Sequence, residues 1–322
     1  MIKNIEKVPS LSYFNSHYFC DYIELLALIN NNDLLSVSDI YDRFYEDSSI
    51  EVPDNNSDVD LGSNISKVCD EWENRIKEWF SILDTRKNAF NEFYPFAISQ
   101  DTIQMNDELT YKQQLYIFLL LNSNQNYVRN SSQLTSDFEE LSLSALKNFL
   151  PNNALCYRFG KSMLDYDKYK GHITKKIDDL ARDLKYTIKY KASYFAQNDN
   201  GDGGLDVVSW IPFEEDENQN NIQVYLCQCA TGKEWYKKQD DTDKFIDNYI
   251  DFRTQVNSVM FIPFDTRNLD RTFNEESKMK KNIVFDRLRL LYLLKDNQNL
   301  ISELNSFDEI VNKVIEFEED II

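Results

Sequence analysis

The chain has 322 residues, of which 42% are hydrophobic and 28% charged, a globular balance that excludes a disordered polymer and leaves room for about two domains. Its 55 acidic residues outnumber 35 basic ones, and a net charge of −20 argues against a protein that coats nucleic acid by bulk attraction. Five scattered cysteines without a CxxC, and only two histidines (His17 and His172), exclude a disulfide scaffold and a Cys- or His-based zinc site, and leave His-centred catalysis to His172 alone. The longest apolar run, Leu115 to Leu121, is too short to span a bilayer, and the first residues lack the basic-then-apolar pattern of an export signal. A cytoplasmic protein without membrane contact is therefore expected.

In chain order, residues 13–47 read as helical, with Tyr22, Leu26 and Ile29, then Leu34, Ile40 and Phe44, near helix spacing and a break at Asn30-Asn31-Asn32-Asp33. Residues 46–64 have no apolar period and are rich in Asp, Asn and Ser, which predicts a loop. Helices follow at about 65–96 (Trp72, Ile76, Trp79, Phe80, Leu83), 109–122 (Leu115, Phe118, Leu119) and 134–149 (Phe138, Leu141, Leu146). Nothing before residue 150 looks like a pair of strands. This predicts an all-α domain over 1–150 that ends at Pro151-Asn152-Asn153.

The second half alternates. A helix over 171–185 carries Ile173, Ile177, Leu180, Ala181 and Leu184 on one face; a strand at 187–196 precedes the glycine-rich turn 198–204. Strands at 205–213 and 222–230 flank an acidic turn at 214–221. A helix (about 234–252), a strand (259–264) and helices at about 281–296 and 306–319 complete the chain. The order predicts an α/β domain over 151–322 with a mixed central sheet flanked by helices. Charge is uneven: residues 1–157 carry −13, whereas 158–191 hold ten basic residues against five acidic ones.

Four of the seven glycines, Gly201, Gly203, Gly204 and Gly232, lie beside the two strongest strand signals, where a tight hairpin turn alone would use them. In the strand after that turn, alternation puts Asp206 on one face with Val208 and Trp210. A carboxylate in the apolar run Leu205-Asp206-Val207-Val208 is costly unless a metal ion or a basic group meets it. On the next strand Gln228 is the polar residue sharing a face with Val224, Leu226 and Ala230.

Gly201-Asp202-Gly203-Gly204-Leu205-Asp206-Val207-Val208, followed by Val224-Tyr225-Leu226-Cys227-Gln228-Cys229-Ala230, resembles the core of the restriction-endonuclease-like superfamily, closest to its Mrr-type nucleases with a GDGGxD segment before a QxK strand. The resemblance covers about 158–265 and implies a Mg²⁺-dependent deoxyribonuclease, Mn²⁺ substituting, with DNA as substrate and a place in restriction or anti-phage defence. It implies Asp206 as metal ligand, Gln228 as the family's glutamine, and an upstream helix carboxylate that Asp178 fits best, since Ile177, Ala181 and Leu184 then keep the core phase. The family's lysine position holds Ala230; Lys233, Lys161 and Lys175 are the candidates for a displaced amine, Lys233 foremost. Arg158, Lys161, Lys175 and Lys176 are the expected nucleic-acid contacts. The lost lysine keeps a second reading open, a non-catalytic nuclease-fold scaffold or regulatory subunit, and an RNA-directed nuclease is a third. The acidic N-terminal half is expected to bind a protein partner. Asp202 is expected as a turn residue, His172 as a capping or surface histidine, Cys227 and Cys229 as core thiols, Trp235 and Tyr236 as packing, and Asp286, Arg287 and Arg289 on a solvated face or in an internal salt bridge.

Overall fold

In the computed structural model, which describes residues 2–10, 16–30, 34–47, 49–50, 61–160, 167–213, 220–274 and 276–317, the chain divides into two units. The first is built from Met1–Leu134, Phe264–Asn274 and Ile301–Ile322, the second from Thr135–Pro263 and Glu275–Leu300.

The first unit is mainly helical: α1 (Ser16–Ile29), α2 (Val37–Glu46), α3 (Leu61–Phe90) and α4 (Tyr111–Ser123). It is not all-helical as expected. β1 (Leu35–Ser36), β2 (Phe96–Ser99) and β3 (Thr102–Met105) form an antiparallel sheet in the order β1-β3-β2. These strands are two to four residues long, too short for period-two alternation to stand out from a helical background. Ser36 caps α2 in a reciprocal capping box with Asp39, and Thr110 does the same for α4 with Gln113. Helix α1 is buried on nearly every side, so its polar residues need partners inside. Arg86 of α3, wholly buried, supplies them: its guanidinium lies 2.7 Å from Asp21, 3.0 Å from Glu24 and 3.3 Å from Asp265. Arg271 pairs with both oxygens of Asp265, at 3.0 and 3.2 Å, and the hydroxyls of Tyr94 and Tyr116 donate to Glu24.

The second unit holds α5 (Ser131–Phe149, all but its first turn), β4 (Leu155–Arg158), α6 (Ile173–Asp183), β5 (Thr187–Ile188), β6 (Val207–Ile211), β7 (Gln223–Cys229), β8 (Ile250–Asp251), β9 (Val256–Phe261), β10 (Ile283–Phe285) and α7 (Arg287–Leu294). Its five-stranded sheet runs β10-β9-β7-β6-β4, antiparallel through β4, β6 and β7 and parallel through β7, β9 and β10; β5 and β8 pair separately. The predicted α/β character and mixed sheet are present. The apolar face of α6 (Ile173, Ile177, Leu180, Ala181) packs in one core with Val208 and Trp210 of β6 and Val224 and Leu226 of β7.

Several predicted elements differ. Only Thr187–Ile188 of the expected 187–196 strand is extended. Residues 234–252 form two short turns of helix, Trp235–Lys238 and Phe245–Tyr249, and then β8, in place of one long helix. The first half of the 281–296 helix is β10, because Ile283, Val284 and Phe285 pair in parallel with β9. Asp286 caps α7 and is wholly buried with Arg287, whose Nε donates to the Pro263 carbonyl, so these two do not lie on a solvated face.

Candidate functional site

Asp206 stands just before β6, where the chain leaves the glycine turn. Its amide donates to the Cys227 carbonyl at 2.9 Å, and its carbonyl accepts from the amides of Phe159 and Gly160, at 2.8 and 3.0 Å. Its carboxyl oxygen Oδ2 accepts from the Cys229 amide at 2.6 Å. The backbone is thus tied to β4 and β7 on both sides, and the residue as a whole is 5% exposed. Burial, followed by the charges of Glu139 and Asp202, pushes its carboxyl well above the ordinary value, while the Cys229 amide and exposed Lys238 pull the other way. Among the described residues no cation lies within ion-pair distance of it.

The turn is shaped by its own side chains. Asp199 Oδ1 accepts from the Gly201 amide and Asp202 Oδ1 from the Gly204 amide. Gly204 sits at φ +91°, and a Cβ there would come within 2.9 Å of the Asp241 Cβ, so no other residue fits without strain. Asp202 is the turn residue expected of it, and it is also a charge felt by Asp206.

The helix carboxylate near Asp206 is Glu139 of α5, which is not among the residues expected from the sequence. It is buried and pairs with Arg158 at the end of β4 at 2.9 Å. Burial pushes Glu139 above its ordinary value against the pull of Arg158, and Asp202 adds to the rise. Gly160 makes room for it: a Cβ there would meet Glu139 Oε2 at 2.5 Å. Beside them the buried ammonium of Lys176 donates to the carbonyls of Gly160 (2.9 Å), Gly201 (3.2 Å) and Phe159 (3.3 Å). Burial lowers its pKa, with Asp202 and Glu139 opposing. One amine therefore joins the end of β4 to the start of the glycine turn.

The other expected residues are dispersed. Asp178 lies half-buried on α6 and accepts from the Tyr190 hydroxyl at 2.7 Å; Asp206 is crowded by Glu139 and Asp202 instead. Gln228 is buried in β7, its Nε2 3.4 Å from the Cys229 carbonyl and its Oε1 without a hydrogen-bond partner among the described residues. Ala230 is wholly buried, with its amide on the Phe261 carbonyl, so the position of the missing lysine is filled by the core. Lys233 is half-buried beyond Gly232, and Lys175 is exposed and paired with Asp179 at 2.6 Å. Lys161 lies outside the described residues. Arg158 and Lys176, expected to contact nucleic acid, point inward to Glu139 and to the three carbonyls. Cys227 and Cys229 are core thiols, Trp235 is buried, and His172 caps α6 by accepting from the Thr174 amide, as expected.

The arrangement is two buried carboxyls, Asp206 and Glu139, with a third, Asp202, close enough to raise both. Such a group favours protons or a cation and disfavours a second negative charge. Among the described residues no set of three or more His, Cys, Asp or Glu side chains is assembled to hold a metal ion. Two carboxylates suit a hard cation that keeps several of its waters, as Mg²⁺ does. Among the same residues no helix is long and apolar enough to cross a membrane. Compared with known proteins, the chain matches no family model, no curated protein and no solved structure.

Proposed function

We propose that the second unit is a restriction-endonuclease-like domain that hydrolyses phosphodiester bonds of DNA, in the restriction or anti-phage setting implied by the sequence resemblance. The observation that carries this reading is the buried Asp206 carboxyl, crowded by Glu139 and Asp202 with no counter-ion among the described residues. A buried charge of that kind costs several kcal/mol, which a protein tolerates where a ligand supplies the missing positive charge. Support also comes from the antiparallel strands β4, β6 and β7 extended in parallel by β9, and from an acid on the helix before β4, with Glu139 taking the part expected of Asp178.

Asp206 and Glu139 would hold Mg²⁺, with Mn²⁺ substituting. When bound, the cation polarises a phosphoryl oxygen and lowers the pKa of an attacking water. The chain's own residues do the rest. Arg158 and Gly160 fix Glu139, the Cys229 amide fixes Asp206, and Lys176 holds the two loops between them. The donors of Lys176 are spent on carbonyls, so the positive charge nearest in role to the family's lysine is the exposed Lys238, whose charge already reaches Asp206. The acidic N-terminal part of the chain is proposed to receive a protein partner.

Plasmid and single-stranded DNA incubated with Mg²⁺ or Mn²⁺ test this. Wild type is expected to cleave, Asp206→Asn and Glu139→Gln to lose cleavage by at least about 100-fold, and Lys238→Met to lose less. Absence of cleavage of DNA or RNA with either ion, together with no Mn²⁺ binding by calorimetry, overturns the reading. The wholly buried Ala230 favours the second reading, a nuclease-fold scaffold without activity, which that outcome would leave standing.

A further inference from the structure

The segment Leu184–Asn198 contains three lysines, four aromatic residues and no acid, in a chain of net charge −20. It is not a loose loop. The Lys189 amide donates to the Tyr249 carbonyl and its ammonium to the Ile246 carbonyl, both at 2.8 Å. Thr187 and Ile188 pair with Asp251 and Ile250 of β8. The Tyr190 hydroxyl donates to Asp178, and His172 Nε2 lies 2.9 Å from the Ala196 carbonyl.

What this frame presents outward is specific. Lys185 and Lys191 are exposed and take no part in an ion pair among the described residues. Between them Ile188 is 48% exposed, and beyond Lys191 Tyr194 is 59% exposed. On the facing segment Asp247 and Asp251 are exposed, with Arg253 beside them, so the lysines keep a local surplus. The inward side of the segment leads to the candidate site through rings in contact: Tyr190 to Phe195 (centroids 5.4 Å), Phe195 to Tyr249 (5.1 Å) and Tyr249 to Phe245 (5.1 Å). Tyr249 and Phe245 lie 3.4 and 3.3 Å from where a Cβ of Gly203 would stand, three residues before Asp206.

We propose that Leu184–Asn198 is a docking strap for a single-stranded polynucleotide, which it delivers to the glycine turn and Asp206. Lysines pair with phosphates whatever the strand, whereas an exposed ring beside them is useful only to bases that are not already stacked in a duplex. The proposal deepens the nuclease reading and rests on it for the fate of the bound strand.

Anisotropy with fluorescein-labelled oligo-dT, oligo-U and a hairpin duplex, all in EDTA so that no strand is cut, reads the binding alone. Wild type is expected to bind oligo-dT more tightly than duplex. Tyr194→Ala weakens it about tenfold, with Tyr194→Phe restoring it. Lys191→Ala lowers the slope of log affinity against log salt by about 0.7. Tighter binding of oligo-U also supports the strap and assigns it to RNA. Preference for the duplex, no binding of any strand, or Tyr194→Ala and Lys191→Ala indistinguishable from wild type overturns it. The two readings fail separately. Strap-dependent binding without cleavage in Mg²⁺ or Mn²⁺ removes the nuclease and leaves the strap; cleavage unaltered by the strap variants removes the strap and leaves the nuclease.

Discussion

Each unit gathers three carboxyls, and the two groups are treated in opposite ways. In the first unit Asp21, Glu24 and Asp265 surround Arg86, with Arg271, Tyr94 and Tyr116 completing the shell. Burial there would raise Asp265, but Arg86 and Arg271 outweigh it and hold its carboxyl below the ordinary value. In the second unit burial raises Asp206, and the charges of Glu139 and Asp202 raise it further. The first group is a finished network whose charges answer one another. In the second Glu139 is answered by Arg158, but among the described residues Asp206, where the glycine turn meets the sheet, has no cation within ion-pair distance. Burial by itself therefore does not separate structure from function; the balance of charge around the buried acid does.

The contrast yields predictions of decreasing size. Arg86→Met removes the guanidinium shared by Asp21, Glu24 and Asp265, leaving Asp265 with Arg271, and should cost about 3–5 kcal/mol in urea denaturation; a loss under about 1 kcal/mol would mean the network is not structural. The sign for Asp265 follows from its lowered pKa: its contribution is complete above the ordinary carboxylate range and is lost as pH falls through the depressed value. Gly204→Ala should cost about 1–3 kcal/mol, from positive φ and the approach to Asp241, and circular-dichroism melting checks it. Asp206→Asn should go the other way. A raised acid favours its neutral form, so its stabilising share is complete below the ordinary value and lost as pH rises toward the shifted one. The variant should therefore match or exceed wild type by about 1 kcal/mol at neutral pH, with the gap narrowing in acid; a clear loss of stability at neutral pH would place Asp206 among ordinary structural acids. Smallest of all, Asp179→Ala removes ion pairs to Lys175 and Arg182 at the surface and should change stability by less than about 0.5 kcal/mol.

Asp206 was legible in the sequence because a carboxylate in an apolar run is an energetic anomaly in its own right. The β6–β7 hairpin was legible because its strands are long enough for alternation, and the apolar face of α6 because its spacing is regular. Glu139 was not, since in Phe138-Glu139-Glu140-Leu141 it has the spacing of any solvated helix acid. What marks it is Arg158, which meets it from β4, and Gly160, which leaves space for it; an arginine followed two residues later by glycine was the available signal. The phase of α6 identifies its buried face, yet the charged residue on that face is Lys176, and Asp178 turns to Tyr190. Strands β4 and β10 and the short sheet of the first unit were hidden by their length, and the 234–252 segment by tertiary packing that broke a plausible helix into two turns.

Lys176 gives the candidate site a property no single ligand would. Because one ammonium is shared by Phe159 and Gly160 on one lip and Gly201 on the other, the two lips are not independent parts. Moving either segment away from the other breaks a hydrogen bond of a buried ammonium, so the spacing between the end of β4 and the glycine turn is held by a residue that is itself neither of the two acids.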